Sequence, residues 1–240
     1  MNRFGVCLLV LFACASTKAV AQDVVSMDNE PHYSLAFSND YCRAYTVQLG
    51  RLETTKPVGY PHDWVRITLG GTFEQARNGT LFSKAGYDDP EGYYISFHFP
   101  ADRITLRNPN NDPYSSVIVQ IINSDDSVNR LGDPSLDPFS QMLGPGVDSH
   151  HSYLTTLTKT SVNIKSVQVV SGEAEEVRFP GVGSLLIAIT DVDLQQEGKG
   201  AGSQDLQLSK GEIKWVTPGA MVMFKNTRKE PARFAVLEFR

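Results

Sequence analysis

The chain repeats itself. Thr46-Val47-Gln48-Leu49 is echoed by Ser166-Val167-Gln168-Val169, and Ile67-Thr68 by Ile189-Thr190. Arg107-Asn108 with Asp112-Pro113 is echoed by Lys225-Asn226 with Glu230-Pro231. The separations are 120, 122 and 118 residues, and the order is kept. One match of this kind arises by chance, whereas three collinear ones point to two copies of a unit of about 100 residues. Any fold proposed for the chain must therefore be small and must occur twice.

The content of the unit is β. Short runs rich in Val, Ile, Thr and aromatics, separated by Gly, Pro, Asn and Asp, predict strands at 43–49, 64–69, 93–99 and 116–122 in the first copy. In the second copy they fall at 164–170, 184–190, 212–216 and 233–239. An all-β barrel or sandwich suits a unit of this length. The expected division is a first barrel over 22–123, a linker or excursion over 124–153 and a second barrel over 154–240. The excursion carries two Asp-Pro steps and a proline between glycines, and its apolar anchors Phe139 and Met142-Leu143 predict that it packs across a barrel. Residues 195–204, with Gly198, Gly200 and Gly202, read as a flexible hairpin loop and not as a phosphate cradle.

Residues 1–21 have the parts of a secretory signal peptide: Arg3, an apolar run from Phe4 to Ala13, and Ala19-Val20-Ala21 before Gln22. A periplasmic or secreted location follows as the expectation. Leu11-Phe12-Ala13-Cys14 offers the alternative of a lipoprotein anchored through Cys14, although Phe12 is bulky for a lipobox. Removing this segment takes Arg3 and Lys18 but no acid, leaving 20 basic against 27 acidic groups, a net charge of −7. That sign, with no basic run after residue 21, argues against nucleic-acid binding. No run is long enough for a membrane span, which needs roughly 20 apolar residues. Cys7 and Cys14 lie in the leader, so no internal disulfide forms in the mature chain, and Cys42 in its alternating apolar run predicts a buried, inert thiol.

The stretch Phe37-Ser38-Asn39-Asp40-Tyr41-Cys42-Arg43 resembles the opening of small bacterial cupins, and Gly211, Pro218-Gly219 and Asn226 fit the spacing of a cupin motif that precedes a strand. Asp102 to Asn108 is a worn version of the same motif. The resemblance covers nearly all of residues 30–240 and implies two tandem cupin-like jelly-roll barrels. It also implies a metal held by three histidines and a glutamate, because imidazoles bind a divalent ion and leave positions open for substrate.

Carried over by position, that ligand set fails. The first His-x-His falls on Val58 and Tyr60, or in a shifted register on Tyr60 and His62, with glutamate expected at Arg66 or Ile67. The third histidine falls on Ile104 and, in the second copy, on Val222. All five histidines precede residue 152. No metal and no cofactor is therefore expected, and apolar inward positions predict filled barrels or dry cavities.

What remains is a set of candidates. His62 beside Trp64, with Tyr60 and Asp63, is the expected ligand-binding group at the mouth of the first barrel. His98, opposite Phe97 and Phe99 by alternation, is expected to face solvent. His150 and His151 point opposite ways on an extended chain and make a poor chelate. Asp125, Asp126, Asp133 and Asp137 match no calcium loop. The sequence leaves two readings open. One is a metal-free bicupin binding a small molecule or carbohydrate, or acting structurally. The other is a cupin-type enzyme, a dioxygenase, isomerase or epimerase, with His62 as general base working with Tyr60 or Asp63. Cupins pair barrels through their edges, so a homodimer is among the expected partners.

Overall fold

A computed structural model describes residues 23–77, 79–85, 94–122, 142–143, 151–179, 181–198, 201–219 and 221–240. The signal-peptide reading of residues 1–21, Phe139, His150 and the four excursion aspartates lie outside the described residues. A single turn of 3-10 helix, Met27–Asn29, precedes the strands, which follow one another in antiparallel ladders. The first copy contains β1 (Tyr33–Ser38), β2 (Cys42–Leu49), β3 (Val58–Tyr60), β4 (Trp64–Gly70), β5 (Phe73–Arg77), β6 (Thr80–Ala85), β7 (Tyr94–His98), β8 (Ala101–Arg107) and β9 (Tyr114–Ile121). Then come β10 (Met142–Leu143) and β11 (Tyr153–Thr158), β12 (Val162–Val169), β13 (Ala174–Arg178), β14 (Gly183–Ala188) and β15 (Val192–Gly198). The chain closes with β16 (Ala201–Leu208), β17 (Ile213–Val216), β18 (Met221–Asn226) and β19 (Ala232–Phe239).

The topology carries the repeat. One pair of facing sheets is ordered β1-β2-β9-β4-β7 and β3-β8-β5-β6, the other β11-β12-β19-β14-β17 and β13-β18-β15-β16. Each strand of the first copy has its counterpart ten labels later. β10 joins the first set at the β7 edge, with Met142 opposite Ser96 and Leu143 opposite Ile95, so the excursion does return to a barrel. The expected all-β fold of two tandem jelly-roll barrels is what the chain adopts. Among the described residues no helix is long and apolar enough to cross a membrane.

Two asparagines show why the motif near each copy's end is kept. The Asn108 amide donates to the carbonyls of Gly50 at 2.9 Å and Asp112 at 2.8 Å, while its oxygen accepts from the Asn110 amide at 3.0 Å. Asn226 does the same with Val169 at 2.9 Å, Glu230 at 2.8 Å and the Arg228 amide at 2.8 Å. Both are fully buried, and each ties the turn after its strand to the end of a distant one. A buried backbone carbonyl must find a donor, and one carboxamide serves two of them.

Three apolar clusters organise the molecule. One fills the space between the sheets of the first barrel and one does so in the second. The third joins the barrels: Val65, Ile67, Val117 and Val119 meet Ile164, Leu185, Ile187 and Leu237. The central strands β4 and β14 are consequently buried on both faces, and every residue of β7, β14 and β19 is buried.

Three expectations are corrected, the first by two-sided burial and the other two by strand register. His98 does not face solvent; it is 7% exposed, because Phe97 points into the shared cluster and the opposite face of β7 is covered as well. Ile67 corresponds in register to Ile187, not Ile189: Ile67 pairs with Val117 as Ile187 pairs with Ala235. A slip of two residues keeps the same face, which is why the apolar pattern did not reveal it. Residues 195–204 are paired strand almost to the hairpin tip, with Gln195 opposite Asp205 and Gly198 opposite Ala201.

Candidate functional site

On β4 the side chains alternate between the two clusters. Val65 and Ile67 enter the shared core, so Trp64, Arg66 and Thr68 turn to the interior of the first barrel. An arginine therefore sits in the middle of the barrel, 1% exposed. Its guanidinium carbon lies 4.3 Å from the ring centre of Phe73 and 5.0 Å from that of Trp64, and its terminal nitrogen donates to Gln75 Oε1. Among the described residues no carboxylate forms an ion pair with it.

Tyrosines surround it. Burial opposes the charge on Arg66, but the attraction of Tyr114, Tyr94, Tyr60 and Tyr33 in their ionised forms outweighs it, so the group lies above its ordinary value. Burial in turn pushes the Tyr94 hydroxyl up to about 12 and raises Tyr33 and Tyr60 as well, so these phenols are neutral hydrogen-bonding groups at ordinary pH. Tyr33 and Tyr60 share a hydrogen bond of 2.6 Å. Tyr114, fully buried, has no partner for its hydroxyl among the described residues, and neither has Nε of Arg66.

A second feature adjoins the guanidinium. The Trp64 indole stacks on His98 at 3.9 Å and meets the tilted ring of Tyr60 at 4.4 Å, and its N–H donates to the Phe99 carbonyl at 3.1 Å. His98 Nε2 is 2.7 Å from the Ser96 hydroxyl. Burial first, and the positive charge of Arg66 second, hold His98 well below the usual histidine range, so its imidazole is neutral.

The four residues expected to form the site are thus divided. Tyr60 and Trp64 line the barrel interior. His62 is half-buried in the turn between β3 and β4. Asp63 is fully buried, and its charge supports the cation of Lys159 from the other copy, which burial otherwise disfavours. Arg66, Tyr33, Tyr94, Tyr114, Gln75 and His98 were missed as a group. Arg66 is a charged residue inside an otherwise apolar strand, and that contradiction was the available signal.

The second barrel supplies an internal control. Arg66 pairs with Ile118 as Leu186 pairs with Val236, and Trp64 with His98 as Ser184 with Val216. Where the first barrel has Arg66, Trp64 and His98, the second has Leu186, Ser184 and Val216, packed with Phe179, Phe224 and Phe234. The expectation of an apolar interior holds for the second barrel apart from Ser184. It fails for the first.

The ligand positions of a metal-binding cupin are brought together, since Val58 and Ile104 face each other across β3 and β8 with Tyr60 beside them. Two aliphatic side chains and a neutral phenol bonded to Tyr33 do not make a donor set, and no group of three His, Cys, Asp or Glu side chains suited to a metal ion occurs among the described residues. A metal does not fit here.

No protein-family model matches the chain, and no curated protein matches its sequence. Solved structures do match. AerE from Microcystis aeruginosa superposes with a TM-score of 0.63 at 13% identity, over 88% of this chain and 93% of that one. A cupin 2 conserved barrel domain protein from Leptotrichia buccalis gives 0.53 at 9% identity, over 87% and 88%. A salicylate 1,2-dioxygenase from Pseudaminobacter salicylatoxidans gives 0.57 at 10% identity, over 83% and 71%. At these identities the likeness is one of fold.

Proposed function

The chain has the two-barrel fold of the cupin superfamily, and on that premise we propose that it is an exported, metal-independent bicupin whose first barrel binds a small molecule. The second barrel is its structural partner. The observation that carries this reading is the asymmetry of the interiors: a buried arginine among tyrosines on one side, and on the other Leu186 at the equivalent position in a core of aliphatic and phenylalanine side chains. Polar groups cost free energy to bury, on the order of 1–3 kcal/mol each when left unpaired, and a barrel needing only to fill its centre has the solution seen in the second copy. A salicylate 1,2-dioxygenase of this fold is described as forming adducts with gentisate, which supports a small-molecule site in such a barrel.

Two measurements test the proposal. Metal analysis of tag-free protein is expected to find only trace metal, and about one bound Fe, Mn, Ni or Zn per chain would overturn the metal-free reading. A thermal-shift screen with acids, neutral organics and sugars is expected to find a stabilising ligand that also changes the emission of Trp64, read in a Trp215→Phe background. Export is tested by N-terminal sequencing of the mature protein, which should begin at Gln22, whereas a lipid-modified Cys14 at the new terminus would replace that cleavage site.

A further inference from the structure

Arg66 presents a charge problem that the protein itself leaves open. A buried guanidinium is ordinarily matched by a carboxylate, because removing either partner of such a pair strands a desolvated charge. Here aromatic faces and neutral hydroxyls contribute cation–π and dipolar stabilisation, but no negative charge answers it among the described residues. Two buried donors nearby also lack acceptors among the described residues: Nε of Arg66 and the hydroxyl of Tyr114. Both residues pack on Phe73, the guanidinium at 4.3 Å and the Tyr114 ring at 5.3 Å from its centre. A missing negative charge and missing acceptors in one place describe a single absent group.

We infer that the ligand of the first barrel is a small organic acid whose carboxylate pairs with Arg66 and accepts a hydrogen bond from Tyr114. This rests on the reading of that barrel as a binding site and adds the chemical class of its occupant. A guanidinium presents its N–H donors in a planar fork that matches a carboxylate, and the neutral phenols add donors without competing charge. The protein's own fixed cation thus does the anchoring for which a metal-binding barrel would use its ion. His98, held neutral against the same cluster, adds no second positive charge, so a monoanion is the match.

The test is titration of the full chain with propionate, lactate, benzoate and phenylacetate, each beside its amide, and with sulfate, followed by Trp64 emission and thermal shift. At least one acid should bind tenfold or more tighter than its amide. Arg66→Met should lose that preference while still binding the amide, and Tyr114→Phe, which removes a hydroxyl with no partner among the described residues, should weaken acid binding several-fold. Should Arg66→Met fail to fold, the acid-to-amide ratio of the native chain and of Tyr114→Phe decides alone. Amides binding as tightly as acids, or sulfate binding in preference to them, would overturn the carboxylate assignment and leave the binding site standing. No response to any acid or to any neutral compound in the wider screen would overturn both.

Discussion

The rings of Trp64 and His98 lie face to face, their centres 3.9 Å apart and their planes within 11° of parallel. Burial first, and the positive charge of Arg66 second, keep this imidazole uncharged in the fold. The unfolded chain has no such restraint, so its histidine takes up a proton as pH falls through about 6.5 while the folded one does not. The unfolded state then binds more protons, and folding stability drops with falling pH down to the folded-state value. The expected slope from this residue is at most about 1.4 kcal/mol per pH unit. Urea unfolding of the native chain and of His98→Phe, which keeps a ring on Trp64, should show a shallower acid slope in the variant. Equal slopes would mean that His98 is protonated in the fold.

The paired asparagines make a two-sided prediction. Asn108→Ala or Asn226→Ala strands the carbonyls that each carboxamide serves, costing on the order of 1–3 kcal/mol. Both networks tie the turn after the strand to the end of a distant one, with Asn108 reaching Leu49 at 3.3 Å as well as Gly50, so the losses in chemical denaturation should be similar. A loss confined to one barrel would show that the equivalence is geometric and not energetic.

Much of this was legible beforehand, for a physical reason that also marks its limit. Strand positions and the two-copy organisation follow from local pattern and spacing, and Val58 does meet Ile104 as the resemblance implied. His98 and Arg66 were not legible because alternation assigns one face to the core and the other to water. In β4 and β7 neither face meets water. Once both faces are covered, a polar residue in such a strand reports on a barrel interior, and Arg66 is the clearest example. The slip between Ile187 and Ile189 has a related origin, since a period of two is blind to displacement by two.

Gly183 is fixed by its neighbour. A Cβ there would stand 2.2 Å from Trp215 Cζ2, and its φ of +150° is itself unfavourable for a side chain. Trp215 stacks with Phe37 at 5.7 Å and Phe239 at 5.8 Å, so it cannot retreat freely. Gly183→Ala should destabilise the chain by about 1–3 kcal/mol or more in a denaturation experiment, and by less if Trp215 is first reduced to Leu.

Cys42 gives a probe of the shared core. It is fully buried, and burial pushes its thiol up to about 12. A thiol reagent should label the native chain only as fast as the core opens, with the rate rising in parallel with unfolding as denaturant is added. Rapid labelling without denaturant would show that the face between the barrels is open.

That face has a symmetry the chain as a whole has lost. Cys42, Ala44, Val65, Ile67 and Leu69 of one barrel stand opposite residues at the matching places of the other, Val162, Ile164, Leu185, Ile187 and Ile189. Each barrel offers the same patch, which is the isologous arrangement of a two-fold homodimer, here contained within one polypeptide. Joining two subunits end to end makes their association intramolecular and independent of concentration. It also frees them from having one sequence. A true homodimer would carry Arg66 in both barrels or in neither; the linked pair carries it in one and leaves the other to hold the contact face in place.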